Sequence, residues 1–171
     1  MMSQQHLRYT LRMQIHPITD SDLPAVLEVY RQCEDFLALG PNPHASLEMV
    51  AADRNLSRSQ GGEFCGLFAE DGALLGILDF VRAGFEGNPA CGFLELLMIA
   101  APQRGAGLGA QALAWLEAEL RVAGVTRLRA GVQVNNPGAV RFWQRMGFRI
   151  TGPAELLGDG TTCVPLEKEI P

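Results

Sequence analysis

Apolar residues recur along the first hundred positions with two periods, one typical of strands and one typical of helices. Alternation of apolar and polar residues predicts strands at 13–18, 63–71, 73–85 and 91–100. Asp71-Gly72 separates the second strand from the third, and this dipeptide is a strong signal for a hairpin turn. Helical spacing predicts one helix that follows Thr19 and runs to about 39, and another that starts at Ser46.

The second half of the chain predicts a β-α-β unit. A helix at about 107–123 follows the strand at 91–100, and a strand at 127–134 comes next. A short helix at 137–146 and strands around Phe148 and Val164 complete the pattern. An antiparallel meander that passes into a β-α-β unit indicates a mixed sheet in an α/β (α+β) domain. We expect one domain at 13–171 and a loose extension at 1–12.

Composition narrows the class of protein. The chain has 171 residues of which 47% are hydrophobic, as in a single globular domain. No apolar run approaches the length of about 20 residues that a membrane span requires, and the N-terminus does not resemble a secretory signal. We therefore expect a cytoplasmic protein. Its cysteines are expected to be buried thiols, and its three histidines show no metal-ligand spacing.

Charge is distributed unevenly along the chain. The net charge is −5, yet positions 101–150 hold seven arginines against Glu117 and Glu119. This segment could hold an anion, or its arginines could be solvated helix faces. The overall acidity argues against a nucleic-acid partner.

Three glycines at alternate positions, Gly105, Gly107 and Gly109, stand directly before the predicted helix at 107–123. Glycine is costly in regular structure, so this pattern indicates a close approach to the main chain. The free N–H groups of a helix N-terminus attract anions, and the guanidinium of Arg104 suits phosphate oxygens. The segment therefore predicts a phosphate-binding turn.

Two familiar phosphate-binding motifs fit this segment poorly. Gly105, Gly107 and Ala110 satisfy G-x-G-x-x-A, but four residues separate the strand from the turn and no acidic residue lies between Glu119 and Glu155. A nicotinamide-dependent reductase is therefore a weak alternative. A Walker A loop requires Lys-Ser or Lys-Thr at its end, and this sequence has neither there.

The pattern Arg104-x-x-Gly107-x-Gly109 resembles motif A of the GCN5-related N-acetyltransferase (GNAT) family, Q/R-x-x-G-x-G/A, which wraps the pyrophosphate of acetyl-CoA. Positions 135–148 resemble a second family motif, N-x-x-A-x-x-F-Y-x-x-x-G-F. The matching residues are Asn136, Ala139, Phe142, Gly147 and Phe148. The two motifs lie in the expected order, and the resemblance extends from about 13 to 170.

The resemblance implies a mixed, mostly antiparallel sheet flanked by helices, with a splayed pair of parallel strands that admits the pantetheine arm of acetyl-CoA. It implies cofactor-binding roles for Met98, Ile99, Arg104, Gly105, Ala106, Gly107, Leu108, Gly109, Ala110 and Asn136. Asn136 has a second interpretation as a helix cap before Pro137.

Glu95 is the candidate catalytic residue. It is the carboxylate inside the apolar strand, four residues before Ile99, where many family members carry a glutamate that accepts the proton of the amine. The alternative is a solvent-facing carboxylate on an edge strand. Trp143 stands where many relatives have the tyrosine that protonates the departing thiolate, and an indole cannot serve as that acid.

These observations predict an acyltransferase that moves an acetyl group from acetyl-CoA to a primary amine of a small molecule or peptide, by direct attack in a ternary complex. Trp143 leaves open a second class, a non-catalytic acyl-CoA-binding domain of the same fold. The expected partners are acetyl-CoA and a small amine, without nucleic acid or membrane, and with homodimerisation left open.

Overall fold

A computed structural model describes residues 13–171, so the predicted extension at 1–12 lies outside the described residues. The strands are β1 (Gln14–Pro17), β2 (Glu63–Phe68), β3 (Leu74–Val81), β4 (Cys91–Ile99), β5 (Arg127–Gln133), β6 (Arg149–Ile150), β7 (Glu155–Leu156) and β8 (Thr162–Glu169). The helices are α1 (Leu23–Gln32), α2 (Glu34–Leu37), α3 (Leu47–Ser59), α4 (Leu108–Val122) and α5 (Pro137–Arg145).

The strands form one sheet in the order β1-β2-β3-β4-β5-β8-β6, and β7 pairs with β8. All neighbours are antiparallel except β4 and β5. This confirms the predicted mixed, mostly antiparallel sheet with helices around it. Parallel pairing joins Cys91–Leu94 to 127–130 and then ends. The C-terminal parts of β4 and β5 therefore separate, as the family resemblance implied.

A β-bulge lies at the point where the two strands separate. Asp79 of β3 pairs with Leu96 and Phe80 pairs with Leu94, which leaves Glu95 without a partner on β3. A bulge adds one residue to one strand, bends that strand and can redirect a side chain. Glu95 is therefore the residue that the bulge presents at the opening between β4 and β5.

Two hydrophobic clusters stabilise the two faces of the sheet. One contains the apolar side of α4, including the fully buried Leu116 and Leu120, together with β3, β5 and β8. The other contains Val26 and Tyr30 of α1 and Val50 of α3. Because strand side chains alternate between faces, neighbouring residues of β3 contribute to different clusters.

The helix predicted to run to about 39 is in fact two helices. The backbone leaves helical geometry at Cys33, where φ is −113° and ψ is 20°, and α2 starts at the next residue. The Cys33 thiol donates a 3.3 Å hydrogen bond to the carbonyl oxygen of Ile99. This contact ties the break to the C-terminal end of β4, which helical periodicity alone could not reveal.

The C-terminal end also differs from the expectation of two strands, because β6, β7 and β8 are three separate strands. All four cysteines are free thiols; Cys163 is partly exposed, and the other three are buried as expected. Among residues 13–171, no helix is long and apolar enough to cross a membrane.

Candidate active site

A cleft of about 1100 Å³ opens where β4 and β5 separate. Its glycine side is formed by the loop before α4, the first turn of α4, and α5. Its carboxylate side is formed by α2 and the residues after it, the β3–β4 turn, Glu95, and the segment from β7 to β8. Of the site residues expected from the sequence, all line this cleft except Ala106, which is exposed beside it.

The loop before α4 presents unpaired main-chain donors to the glycine side. Gly105 and Gly107 have φ of 81° and 80°, values that a residue with a side chain rarely adopts. Gly107 is the N-cap of α4, and no side chain caps this helix within the described residues. The first intrahelical bond is donated by Gln111, so the N–H groups of Leu108, Gly109 and Ala110 are free to bind an anion.

Gly109 serves a different purpose from the two glycines before it. A Cβ atom there would lie 3.2 Å from Cζ of Phe142, so α4 and α5 approach closely because this residue has no side chain. The three glycines were all predicted to form a phosphate-binding turn. In the structure, Gly105 and Gly107 allow the loop conformation, and Gly109 allows close packing between α4 and α5.

Arg104 is held between the loop and α2. Its Nη1 and Nη2 atoms lie 2.6 and 3.0 Å from the two carboxylate oxygens of Asp35, and its Nε donates to the carbonyl oxygen of Ile99 at 3.1 Å. This bidentate pair lowers the pKa of Asp35. A guanidinium has five N–H donors, so two remain for a phosphate oxygen.

The main chain of β4 also faces the cleft. Ala100 donates to the carbonyl oxygen of Leu75, and antiparallel pairs alternate between bonded and non-bonded positions. Leu97 and Ile99 therefore direct their main-chain groups away from β3 and toward the opening, whereas those of Met98 face β3. The carbonyl oxygen of Ile99 is already bonded by Arg104 and Cys33.

Asn136, the N-cap of α5, and Trp143 of α5 line the glycine side of the cleft. The Asn136 side chain accepts a 3.1 Å bond from the N–H of Ala139, so the capping interpretation is confirmed. Trp143 is 8% exposed and packs edge-on against Phe142 and Phe148, with ring centroids 5.0 and 5.2 Å apart. It acts as a packing residue, and it brings no hydroxyl group to the cleft.

Glu95 is exposed to the cleft at the bulge. Loss of water around its carboxyl group raises the pKa of Glu95 above the ordinary glutamate value, and the charge of Asp53 raises it further. A carboxylate with a raised pKa that remains accessible can accept a proton from a bound group near neutral pH.

A smaller pocket of about 130 Å³ lies beside Glu95 on the α3 side and is lined also by Asp53, Ser57 and Asp79. Asp79 is 4% exposed, and Ser57 donates a 2.6 Å hydrogen bond to it. Burial raises the pKa of Asp79 to about 6, and the charge of Glu95 adds to the shift. Asp53 accepts a 2.9 Å hydrogen bond from Tyr30. Three carboxyl groups therefore influence one another here.

The arginine-rich segment is mostly neutralised by carboxylates. Arg104, Arg121, Arg127, Arg129 and Arg149 each form at least one ion pair. Within the described residues, Arg141 and Arg145 on α5 form none, and Arg145 lines the glycine side of the cleft. Besides the main-chain donors before α4 and the remaining N–H groups of Arg104, the arginine charge of this segment that is available to an anion therefore lies on α5.

Several residues of the cleft and of the smaller pocket beside it were not predicted from the sequence. Asp79 carried the same signal as Glu95, a single carboxylate in an apolar strand, and could have been found by it. Asp35 carried none, because its partner Arg104 is 69 positions away. Phe85 and Phe93 also carried none, since an aromatic residue near a strand end is usually part of a core.

Comparisons with known proteins agree with this geometry. The sequence model of the acetyltransferase (GNAT) family matches residues 23–148. An acetyltransferase of Agrobacterium fabrum is 34% identical over 90 residues, which span 52% of this chain and 64% of the relative. The crystal structure of an acetyltransferase from Thermus thermophilus shares 30% identity and a TM-score of 0.76, over 92% of this chain and 96% of that one.

A Salmonella typhimurium protein solved with its cofactor acetyl-CoA has the same fold, with a TM-score of 0.67 and 20% identity over 93% of this chain and 94% of that one. The free donors before α4 and the apolar opening between β4 and β5 suit the phosphates and the arm of such a cofactor. The family match covers well over half of the chain and includes both motifs. The chain belongs to the GNAT family of acetyltransferases, which use acetyl-CoA.

Proposed function

We propose that this protein transfers the acetyl group of acetyl-CoA to a primary amine of a small molecule or peptide, by direct attack in a ternary complex. One observation carries the proposal: the bulge presents the accessible carboxyl group of Glu95 at the opening between the two sides of the cleft. A donor bound on the glycine side and an amine on the carboxylate side would meet beside Glu95. Such positioning supplies much of the rate enhancement in group transfer.

On the glycine side, the main-chain donors from Gly105 to Ala110 would hold the pyrophosphate of acetyl-CoA. Arg104 would add its two remaining N–H groups without leaving Asp35. Arg145 is a further candidate for a phosphate of the nucleotide end, since its charge is unpaired. Ile99 would contact the pantetheine arm through its main chain, and Met98 and Asn136 through the cleft wall.

When bound, acetyl-CoA supplies a thioester carbonyl that a neutral amine can attack. Glu95 takes the proton that the amine must lose, directly or through water. The raised pKa of Glu95 brings its proton affinity closer to the working pH than an ordinary glutamate would.

No side chain on the described cleft wall matches the acid that many relatives use for the thiolate. Trp143 cannot donate a proton as an acid, and Tyr30 is buried on α1 with its hydroxyl bonded to Asp53. Tyr9 lies outside the described residues. A thiol with a pKa of about 8.5 leaves readily as the anion, so direct departure followed by protonation from water is sufficient.

The test is a screen of amines with acetyl-CoA, in which CoA release is followed by its thiol and each product by mass spectrometry. We expect amine-dependent CoA release with a mass gain of one acetyl group on nitrogen. Stabilisation by acetyl-CoA without turnover on any amine would instead indicate the non-catalytic acyl-CoA-binding domain. Saturating cofactor at 100 times its Kd should stabilise the fold by about 2.7 kcal/mol in either case. On the sequence observations alone, we expect this activity in the cytoplasm.

A further inference from the structure

Two aromatic rings form a wall of the cleft next to Glu95. Phe85 in the β3–β4 turn and Phe93 of β4 stack with ring centroids 4.2 Å apart and planes 16° apart. Both line the cleft and are partly exposed, and Phe93 precedes Glu95 by two positions. Within residues 13–171, neither ring belongs to the buried clusters that stabilise the sheet. The pair is therefore available to a bound molecule.

The turn that carries Phe85 is held in an unusual conformation. Glu86 has a φ of 51° and is the one residue other than glycine with a positive φ in the described part of the chain. Its carboxylate accepts a 2.5 Å hydrogen bond from Arg129, whose guanidinium also lies 5.5 Å from the centre of the Phe85 ring. Strained backbone of this kind persists where its surroundings enforce it, and it occurs often at ligand sites. Arg129 thereby fixes the position of the Phe85 ring.

The carboxylate side of the cleft combines apolar walls with unpaired negative charge. Other apolar lining comes from Phe36, Leu39 and Leu157. Glu95 and Glu155 also line the cleft, and neither has an ion pair among the described residues. Of the three arginines that line the cleft, Arg104 and Arg129 are each bound to a carboxylate, and Arg145 lies on α5. This combination suits a ligand with a positive charge and an apolar body.

We infer that the acceptor is an arylalkylamine or an amine with a comparably bulky apolar group, whose ring packs against Phe85 and Phe93 while its amino group faces Glu95. Phe93 and Glu95 lie two positions apart on β4 and both line the cleft, so one small molecule can carry the ring and the amino group that contact them. This inference rests on the proposed function and narrows it to one class of acceptor.

The experiment compares two primary amines of similar basicity, 2-phenylethylamine and ethanolamine, as acceptors. We expect the kcat/KM of the wild-type protein to be about tenfold or more higher for 2-phenylethylamine, because burial of its aromatic ring stabilises the transition state. Phe93→Ala and Phe85→Ala should each remove most of this preference while leaving ethanolamine turnover and the Kd of acetyl-CoA within about twofold. Equal turnover of the two amines by the wild type would overturn the inference.

A matched control removes a stacked ring elsewhere. The exposed His16 ring stacks on Phe68 at 4.0 Å and does not line the cleft, so His16→Ala should leave the preference unchanged. Phe93→Leu retains bulk if Phe93→Ala fails to fold, and it should reduce the preference in part. An equal loss for both amines in either variant would mean that the pair is merely structural.

Binding separates this inference from the proposed function. Calorimetry of the same two amines with the protein saturated with CoA requires no turnover. Tighter binding of 2-phenylethylamine, lost in Phe93→Ala, would support the aromatic subsite even if no amine is acetylated. Equal or undetectable binding of both amines, in a protein that acetylates other amines, would reject the subsite and retain the acetyltransferase.

Discussion

The two sides of the cleft are built from different parts of the polypeptide. On the glycine side, donors of the main chain come from one continuous loop and the helix that follows it. On the carboxylate side, side chains come from α2, the β3–β4 turn, β4 and the β7–β8 segment, which are far apart in sequence. A main-chain site constrains conformation at a few positions, whereas a side-chain site can change its ligand by single substitutions. We therefore expect cofactor recognition to resist substitution except at the few positions that set the loop conformation, and acceptor recognition to respond to single side-chain changes.

The largest effect should come from Glu95→Gln, which alters the carboxylate side alone. The amide retains the shape of the side chain but cannot take a proton, so kcat/KM should fall by about 10²–10⁴ while the Kd of acetyl-CoA is unchanged. Because the pKa of Glu95 is raised, wild-type activity should increase with pH through a limb above the ordinary glutamate range. Steady-state rates of both proteins, measured across pH, give the fall in kcat/KM and the position of the limb. Full activity with the same limb in the variant would mean that another group or solvent takes the proton.

The next largest effect is on the pH dependence of folding stability, and it comes from Asp79, which lies beside Glu95. The folded protein binds the Asp79 proton more tightly than the unfolded chain, with a pKa of about 6 against 3.8. Wild-type stability should therefore fall as pH rises from about 4 to about 6, at a cost of about 1–3 kcal/mol, and then remain level with respect to this group. Asp79→Asn has no carboxyl group at this position and therefore lacks this pH dependence.

Thermal unfolding across this pH range measures the effect of Asp79→Asn. Relative to the wild type, the Tm of the variant should rise with pH, since the other groups near Asp79, namely Tyr30, Asp53, Cys65 and Glu95, are present in both proteins. A constant difference in Tm between the two proteins would show that Asp79 does not titrate in this range. Ser57→Ala is a useful second variant, because loss of its bond should raise the pKa of Asp79 further.

On the glycine side, Gly107→Leu should raise the Kd of acetyl-CoA about tenfold or more, since a side chain forces the donor loop out of its left-handed conformation. Gly124→Leu is the matched control: Gly124 has a φ of 73°, follows the same helix at its other end and has open space around it. Calorimetric titration and thermal unfolding of both variants separate binding from stability. An unchanged Kd in folded Gly107→Leu would reject the loop as the phosphate site.

A smaller effect is expected from Arg145→Gln, which removes an unpaired charge from the glycine side. The Kd of acetyl-CoA should increase about threefold at low salt and less at high salt, because an exposed charge is screened. Arg149→Gln removes an exposed arginine on β6 that is paired with Glu167, and should change nothing. If both variants bind acetyl-CoA as the wild type does, Arg145 does not contact the phosphates, and the main chain and Arg104 hold them without it.

The smallest effect on rate should come from Trp143→Phe, because Trp143 packs between the two aromatic neighbours Phe142 and Phe148. We expect a loss of about 1–2 kcal/mol in unfolding free energy with kcat within about twofold. Trp115→Phe, at a partly buried tryptophan of α4 outside the cleft, is the control for stability. A large loss of kcat in Trp143→Phe would assign the indole a role in positioning the substrate. Trp143→Tyr should raise kcat if thiolate protonation limits turnover.

Local signals predicted most elements because they depend on neighbouring residues. The Asp71-Gly72 turn joins β2 to β3, Ser46 caps α3 through the N–H of Met49, and Asn136 caps α5. The same signals missed the break at Cys33, which is linked to a contact with Ile99 of β4. They also assigned all three glycines to phosphate binding, although Gly109 is required because Phe142 packs closely against it.

The sequence by itself determined the family, most of the elements and the segment proposed to bind acetyl-CoA, since each motif and each element depends on residues that lie close together in the chain. Only the tertiary structure decided what surrounds Glu95. The bulge that presents it, the neighbouring Asp79, the wall of Phe85 and Phe93, and the pairing of Arg104 with Asp35 all join distant segments. Side-chain sites of this kind depend on packing and on charge across space, which no local pattern records.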